Sequence, residues 1–272
     1  MSYADEVQAY YDRGEERDRL LGAKGALELE RTQEIVLRRL PPAPALVADI
    51  GGGPGRYAEW LADLGYRVQH RDLMPAHVAH VVSLGRPEIS AVVSDARALD
   101  LADDSVDAAL LLGPLYHLRD RDDRVQALRE AARIVRPGGH VFAAVISRWA
   151  PRLDGVVADK LYQPLPILLD LVEDVERDGD LPPAHPGGFA AYTHRPADLQ
   201  AEVVDAGLQV DDLVGVEGLP LGGAEIAARR TERDWQVLLD AARAIEAVPE
   251  LLGVSPHLIC TGRVAPTGSS GR

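Results

Sequence analysis

The sequence predicts an α/β fold, a mostly parallel sheet with helices on both faces. Three observations carry this. Short apolar runs alternate with helix-period segments between Leu46 and Ile146, the pattern of β–α units whose strands lie parallel. The first run, Leu46–Ile50, carries Asp49 near its end and passes at once into Gly51-Gly52-Gly53-Pro54-Gly55. An amphipathic segment, Tyr57–Leu64, follows, with Gly65 as its stop; together these read as strand, tight turn and helix. Asp49–Gly55, Asp72, Asp95-Ala96 and Gly113–His117 all fall at or just past strand ends. They should share the rim where ligands of such sheets bind.

Taken in order, residues 5–40 read as helical in two pieces, Asp5–Arg13 and about Gly25–Leu40, closed by Pro41-Pro42-Ala43-Pro44. Strands are expected at Leu46–Ile50, Tyr66–His70, Ile89–Val93, Val106–Leu112 and His140–Ile146. Helices are expected at Ala76–Gly85 and Asp120–Val135, with Arg136-Pro137-Gly138-Gly139 as a sharp turn. After Ser147 the texture becomes proline-rich, with a helix-like run Leu165–Arg177. Arg195-Pro196 then opens a helix to Asp205. A strand at Leu208–Val216, a helix at about Ala224–Ala247 and a last strand at Leu258–Val264 complete the pattern. The expected organisation is residues 1–44 as an N-terminal helical segment, 45–149 as the ligand-binding core, 150–195 as a cap insertion, 196–264 as the rest of the core sheet and 265–272 as a mobile tail.

Composition narrows the function. The net charge is −14 with His neutral, and no Lys/Arg-rich block occurs, which argues against nucleic acid or an anionic membrane as the main partner. No apolar stretch approaches the roughly 20 residues that span a bilayer, and the N-terminus has no signal-peptide pattern, so the cytoplasm is the expected location. The single cysteine, Cys260, sits in an apolar run and is expected to pack as a small hydrophobe. His70, His77, His80 and His257 show no ligand spacing with acids or with Cys260, so no metal site is expected.

The glycine cluster points to a nucleotide-type cofactor, because glycines let a ligand approach the main chain and the helix behind them offers unpaired N–H groups. Two readings fit it. Gly53-Pro54-Gly55-Arg56-Tyr57-Ala58 matches the dinucleotide pattern G-x-G-x-x-G/A, whereas Gly51–Gly55 matches the G-x-G-x-G spacing of methyltransferases. Asp72, roughly 20 residues on, is placed to accept two hydrogen bonds from a ribose diol. Asp95 can accept from an exocyclic adenine amine, and the Ala96 N–H can donate to a ring nitrogen.

The series Val47-Ala48-Asp49-Ile50-Gly51-Gly52-Gly53-Pro54-Gly55, Asp72, Ser94-Asp95-Ala96, Asp107–Leu112 and Arg136-Pro137-Gly138-Gly139-His140 resembles class I S-adenosylmethionine (SAM)-dependent methyltransferases of the small-molecule type. The resemblance covers about Leu46–Ile146. It implies a Rossmann-like, seven-stranded, mostly parallel sheet with a closing antiparallel strand, an N-terminal helical lid and a cap insertion after strand five. It also implies roles. Gly51, Gly53 and Gly55 would line the methionine part of SAM, with Asp49 under its amino group. Asp72 would hold the ribose, Asp95 and Ala96 the adenine, and Leu112 and Gly113 would lie near the reacting methyl. Tyr11 and Arg31 would close over the cofactor from the lid, Arg31 by pairing with its carboxylate.

Gly113-Pro114-Leu115-Tyr116-His117 lies where the family meets its acceptor. The Asn/Asp-Pro-Pro-aromatic motif of the nucleic-acid-modifying branch is absent there. Tyr116 and His117 are candidate substrate contacts, and His117 is the candidate general base. His185, Tyr192 and His194 are further candidates from the cap. The expected reaction is methyl transfer from SAM to an O or N atom of a small molecule by a monomer or homodimer, giving S-adenosylhomocysteine (SAH). The rival readings are a nicotinamide-dependent oxidoreductase and a non-catalytic SAM-binding regulator.

Overall fold

The structure is a computed structural model that describes residues 20, 22–183, 188–222, 225–226 and 231–266. The expected helix Asp5–Arg13, together with Tyr11 and His185, lies outside the described residues. In chain order the elements are α1 (Ala23–Leu37), β1 (Leu46–Ile50), α2 (Arg56–Asp63), β2 (Arg67–Asp72), α3 (Pro75–Ser83), β3 (Ile89–Val93) and β4 (Val106–Leu111). They continue with α4 (Pro114–His117), α5 (Arg121–Ile134), β5 (Val135–Ile146), α6 (Leu168–Asp178), β6 (Asp180–Leu181) and β7 (Ala191–Tyr192). The last are α7 (Pro196–Asp205), β8 (Gln209–Gly215), α8 (Glu232–Ile245) and β9 (His257–Arg263). No helix among the described residues is long and apolar enough to cross a membrane.

The main sheet has seven strands in the order β3-β2-β1-β4-β5-β9-β8. Strands β3, β2, β1, β4 and β5 pair in parallel. β9 runs against β5: the Gly138 N–H donates to the Val264 carbonyl near one end, and the Ser147 N–H to the Pro256 carbonyl near the other. The expected antiparallel closing strand is therefore present.

The chain forms two units. Unit 1 takes the chain up to Arg38, Val145–Leu199 and Leu213–Ile259. Unit 2 takes Arg39–Ala144, Gln200–Asp212 and the chain from Cys260. The helical segment before Leu46 and the insertion after β5 thus share one unit.

In unit 2 the central strands are buried on both faces. Val47, Ala48 and Ile50 of β1, Ala108–Leu111 of β4 and Val141–Ala143 of β5 are all buried, as expected where helices cover both sides of a parallel sheet. Fully buried side chains such as Ile50, Leu110 and Phe142 each stabilise the fold by about 1.5–3 kcal/mol. At the β3 edge Val92 and Val93 remain exposed. Helix α5 begins at Asp120, whose carboxylate accepts from the Asp122 N–H, and buries Val125, Leu128, Ala131 and Ile134 at helical spacing.

Two expectations are corrected. Arg136–Gly139 is not a free turn: β5 starts at Val135, and Gly138 and Gly139 bond to Val264 across a register shift in the β4–β5 ladder. The helix expected over Ala224–Ala247 has its long part at Glu232–Ile245, because Thr231 caps it by accepting from the Asp234 N–H. Glu225 and Ile226 are helical as well. Cys260 is fully buried in β9, and burial, with Asp212 nearby, pushes its thiol up to about 12. It is therefore an unreactive packing residue.

In unit 1 a charge network joins α1 to the segment around α8. Arg31 is fully buried; its guanidinium bonds the carboxylates of Glu34 and Glu246 and donates to the Val216 carbonyl at 3.2 Å. Arg38 and Arg243 bond the same Glu34 at 2.9 and 3.0 Å. Arg31 is thus placed otherwise than expected. A buried guanidinium requires internal carboxylates, and here it has two. Burial would raise the Glu34 carboxyl, but Arg38, Arg31 and Arg243 outweigh it and lower the value from 4.5 to about 2. A carboxylate depressed in the folded state stabilises above its unfolded pKa, and that stability is lost as pH falls through the folded value. The melting temperature should therefore fall as pH drops from 4.5 to about 2. Thermal denaturation of Glu34→Gln should show a smaller fall over this window; an equal fall would exclude Glu34 as its source.

Candidate active site

The site is built in unit 2 at the carboxyl ends of β1, β2, β3 and β4. β1 neighbours β2 on one side and β4 on the other, so the chain leaves these strands in opposite directions and a crevice opens between them. The glycine turn fills the start of that crevice. The Gly51 N–H donates to the Arg71 carbonyl at 2.6 Å. Gly51 has φ +64°, and a Cβ there would lie 2.8 Å from Pro114 Cδ, so the turn from β1 and the loop after β4 touch. Gly113 meets the same turn from the other side: a Cβ on it would lie 2.9 Å from the Gly51 carbonyl oxygen. At Gly53, φ is +55° and a Cβ would project into open space, leaving main chain uncovered for a ligand. Gly55 caps α2.

Asp49 lies inside β1, paired in register with His70 of β2, and is buried. Its Oδ2 is 3.4 Å from His70 Nδ1. Its Oδ1 and His70 Nε2 are buried with no hydrogen-bond partner. Such an atom costs about 1–3 kcal/mol, more when charged.

Asp72 ends β2. Its Oδ2 accepts from the Gly53 N–H at 2.8 Å; its Oδ1 accepts from the Met74 N–H at 2.8 Å and lies 3.1 Å from His77 Nδ1. Burial would raise this carboxyl, but His77 and the Met74 and Gly53 N–H groups hold it below the usual carboxylate value. Asp72 therefore stays ionised and ties β2 to the glycine turn. Of a carboxylate's roughly four acceptor sites, one remains, on Oδ2. The expected pair of ribose hydrogen bonds has room for one without rearrangement.

Asp95 follows β3, with Ala96 half-buried beside it. Its carboxylate receives Arg97 twice, from Nη2 at 2.6 Å and Nε at 3.0 Å, as well as the Arg97 N–H at 2.9 Å. Burial raises this carboxyl and Arg97 more than offsets it, so Asp95 is held below its ordinary value. Arg97 also reaches Asp123 at 2.8 Å.

Past β4, Leu112 and Gly113 lead into α4, where Tyr116 and His117 stack at 4.7 Å between ring centroids. His117 is buried to 9% exposure. Glycine turn, Asp49, Asp72, Asp95, Gly113 and His117 thus belong to one rim in unit 2.

The cap candidates lie in unit 1. Tyr192 and His194 pack edge to face at 4.8 Å, and buried Arg148 lies 5.6 Å over the Tyr192 ring while donating to the Thr193 carbonyl. His194 is fully buried, which places it in the packing of unit 1. Three partners escaped the sequence reading. His70 and His77 each meet an acid, and Arg97 grips Asp95. Strand register could have shown the first, since Asp49 and His70 are neighbours only once β1 and β2 are aligned.

The family model for the methyltransferase domain matches residues 48–143. The chain is 30% identical over 212 residues to the ubiquinone biosynthesis O-methyltransferase of Xanthomonas axonopodis pv. citri, over 74% of this chain and 78% of that protein. The chain belongs to the class I SAM-dependent methyltransferases.

This methyltransferase is also 31% identical over 129 residues to the ubiquinone/menaquinone biosynthesis C-methyltransferase of Caulobacter vibrioides, over 43% of this chain and 50% of that protein. It therefore spans about half the length of that relative. In fold it is similar to a SAM-dependent methyltransferase, a possible histamine N-methyltransferase, from Thermotoga maritima. The TM-score is 0.60 at 18% identity, over 96% of this chain and 99% of that chain. The nicotinamide alternative is set aside by these relationships. The residues present fit SAM on two observations of the site: the partnerless buried oxygen of Asp49 awaits a donor, and the main chain at Gly53 is open to close approach.

Proposed function

We propose that this methyltransferase moves a methyl group from SAM to an oxygen or nitrogen of a small-molecule acceptor, releasing SAH. The observation that carries the reading is the loop after β4. It holds Gly113-Pro114-Leu115-Tyr116-His117, with Gly113 and Pro114 against the glycine turn and the Tyr116 and His117 rings 4.7 Å apart. The acidic chain and the relative in ubiquinone biosynthesis support a small acceptor.

In this reading Gly51, Gly53 and Gly55 line the methionine part of SAM, with Leu112 and Gly113 beside it. Asp49 takes its amino group, Asp72 its ribose, and Asp95 with Ala96 its adenine. SAM supplies a methyl group already activated by its sulfonium. The chain's own task is then to hold the acceptor in line and to exclude water. Asp72 contributes by fixing the glycine turn, and Arg97 by fixing the Asp95 rotamer. His117 takes the proton of a hydroxyl acceptor on its imidazole as the acceptor oxygen is methylated.

A screen of phenols and amines for SAH release tests the activity, and His117→Ala tests the base. The variant should lower kcat on a hydroxyl acceptor about 10²-fold and leave the Kd for SAH within about twofold. Unchanged turnover would remove His117 from the mechanism. Absence of SAH release with every phenol and amine would count against the acceptor class.

A further inference from the structure

Neither strand formation nor packing requires a histidine at position 70. His70 stands in the middle of β2 and is fully buried. Strand register sets Leu110, Asp49, His70 and Ala91 in one row across β4, β1, β2 and β3, so their side chains share one face of the sheet. An aliphatic residue would fill the His70 place without polar atoms. The imidazole instead leaves Nε2 buried with no hydrogen-bond partner, beside an Asp49 whose Oδ1 is in the same state. Such atoms are costly to the fold, and each calls for a reason.

The ring meets the carboxylate through Nδ1, 3.4 Å from Asp49 Oδ2. In a neutral imidazole one nitrogen donates and the other accepts. A carboxylate oxygen accepts, so Nδ1 carries the proton and Nε2 is the bare nitrogen. The glycine turn closes over this contact. A Cβ on Gly52 would overlap Asp49 Oδ2 and lie 2.6 Å from His70 Nδ1. The Gly51 N–H is tied to the carbonyl of Arg71, the residue after His70, at 2.6 Å. Oδ2 is therefore enclosed by Gly52 and His70. The terminal torsion of an aspartate is otherwise broad, and rotation about it would exchange the two oxygens. The donor on His70 opposes that rotation.

We infer that His70 is a positioning residue of the cofactor site: its Nδ1–H holds Asp49 by Oδ2 and so keeps Oδ1 for the α-ammonium shared by SAM and SAH. The inference rests on the reading that Asp49 takes the cofactor's amino group.

Calorimetric titration of the full chain with SAH and with methylthioadenosine tests this. The second ligand keeps the adenine, ribose and sulfur and lacks the amino acid. His70→Leu, which fills similar space without a donor, should weaken SAH about tenfold and leave methylthioadenosine within about twofold. His70→Asn, whose amide reaches the place of Nδ1, should keep SAH within about threefold of the unaltered protein. His70→Gln, whose amide reaches the place of Nε2, should not. Added to Asp49→Asn, His70→Leu should cost SAH no more than about a further twofold, because the oxygen it positions has lost its charge. Thermal melts check folding. If His70→Leu fails to fold, the Asn and Gln variants decide, together with nitrogen NMR of the unaltered protein, in which the His70 ring should be the Nδ1–H tautomer. Equal losses for the two ligands, equal behaviour of the Asn and Gln variants, or an Nε2–H tautomer would overturn the inference and leave His70 a packing residue. Asp49→Asn separates this result from failure of the underlying reading. If it weakens SAH alone while His70→Leu changes neither ligand, only the role of His70 is lost. If it leaves SAH binding unchanged, Asp49 does not take the amino group and both are lost.

Discussion

Glu202→Ala should lower the unfolding free energy by about 3–5 kcal/mol, read as a shifted urea midpoint near neutral pH. Glu202 on α7 and Arg124 on α5 are each about 2% exposed at the side chain and bond through both carboxylate oxygens, at 2.8 and 3.1 Å. Removing the acid leaves the buried guanidinium without its Glu202 carboxylate. Replacing both partners by Arg124→Met with Glu202→Leu should restore most of the loss. A double variant as unstable as the single one would show that packing, not charge, is at stake. Arg124 also donates to the carbonyls of Leu118 and Arg119 at 2.9 Å, immediately after His117. The single variant should therefore disturb turnover as well as stability.

Gly52→Ala should weaken SAH binding by about 10³-fold, equivalent to about 4 kcal/mol. A Cβ at this position would lie 2.2 Å from Asp49 Oδ2 and 2.6 Å from His70 Nδ1. Neither neighbour can yield easily, since both are buried and one is a carboxylate. The methyl group would force apart the Asp49–His70 contact and displace the turn that carries Gly51 and Gly53. Calorimetry with SAH checks this, with circular dichroism to confirm folding. Affinity within threefold of the unaltered enzyme would mean that Asp49 has no part in holding the ligand.

Much of the nucleotide half was legible because its signals are local. Leu46–Ile50 and Ile89–Val93 emerge as strands with the boundaries read from the sequence, since short, largely apolar runs bounded by proline, glycine or charged residues have few alternatives. The glycine turn, Asp72 and Asp95 could be placed because each follows its strand directly. What stayed hidden depends on partners distant along the chain. Arg31 reads as a lid residue that pairs with the cofactor carboxylate until Glu246 is brought to it. Glu217 and His257 are unremarkable until β9 carries one beside the other. Gly138 and Gly139 read as a turn because nothing local shows that Val264 will pair with them.

The path of the chain through its two units bears on how the protein is made. Unit 2 begins at Arg39 and is interrupted at Ala144, and it is completed only by the chain from Cys260. On the ribosome, β5 therefore emerges while its antiparallel neighbour β9 is still untranslated. At roughly 5–20 residues per second, the interval is on the order of 10 s. Throughout it the nascent sheet has a long, apolar strand at an open edge, a template for pairing with other chains. A premature stop after Ser255 would make that edge permanent, because the strand lost is an interior one in the sheet order although it is the last to be synthesised.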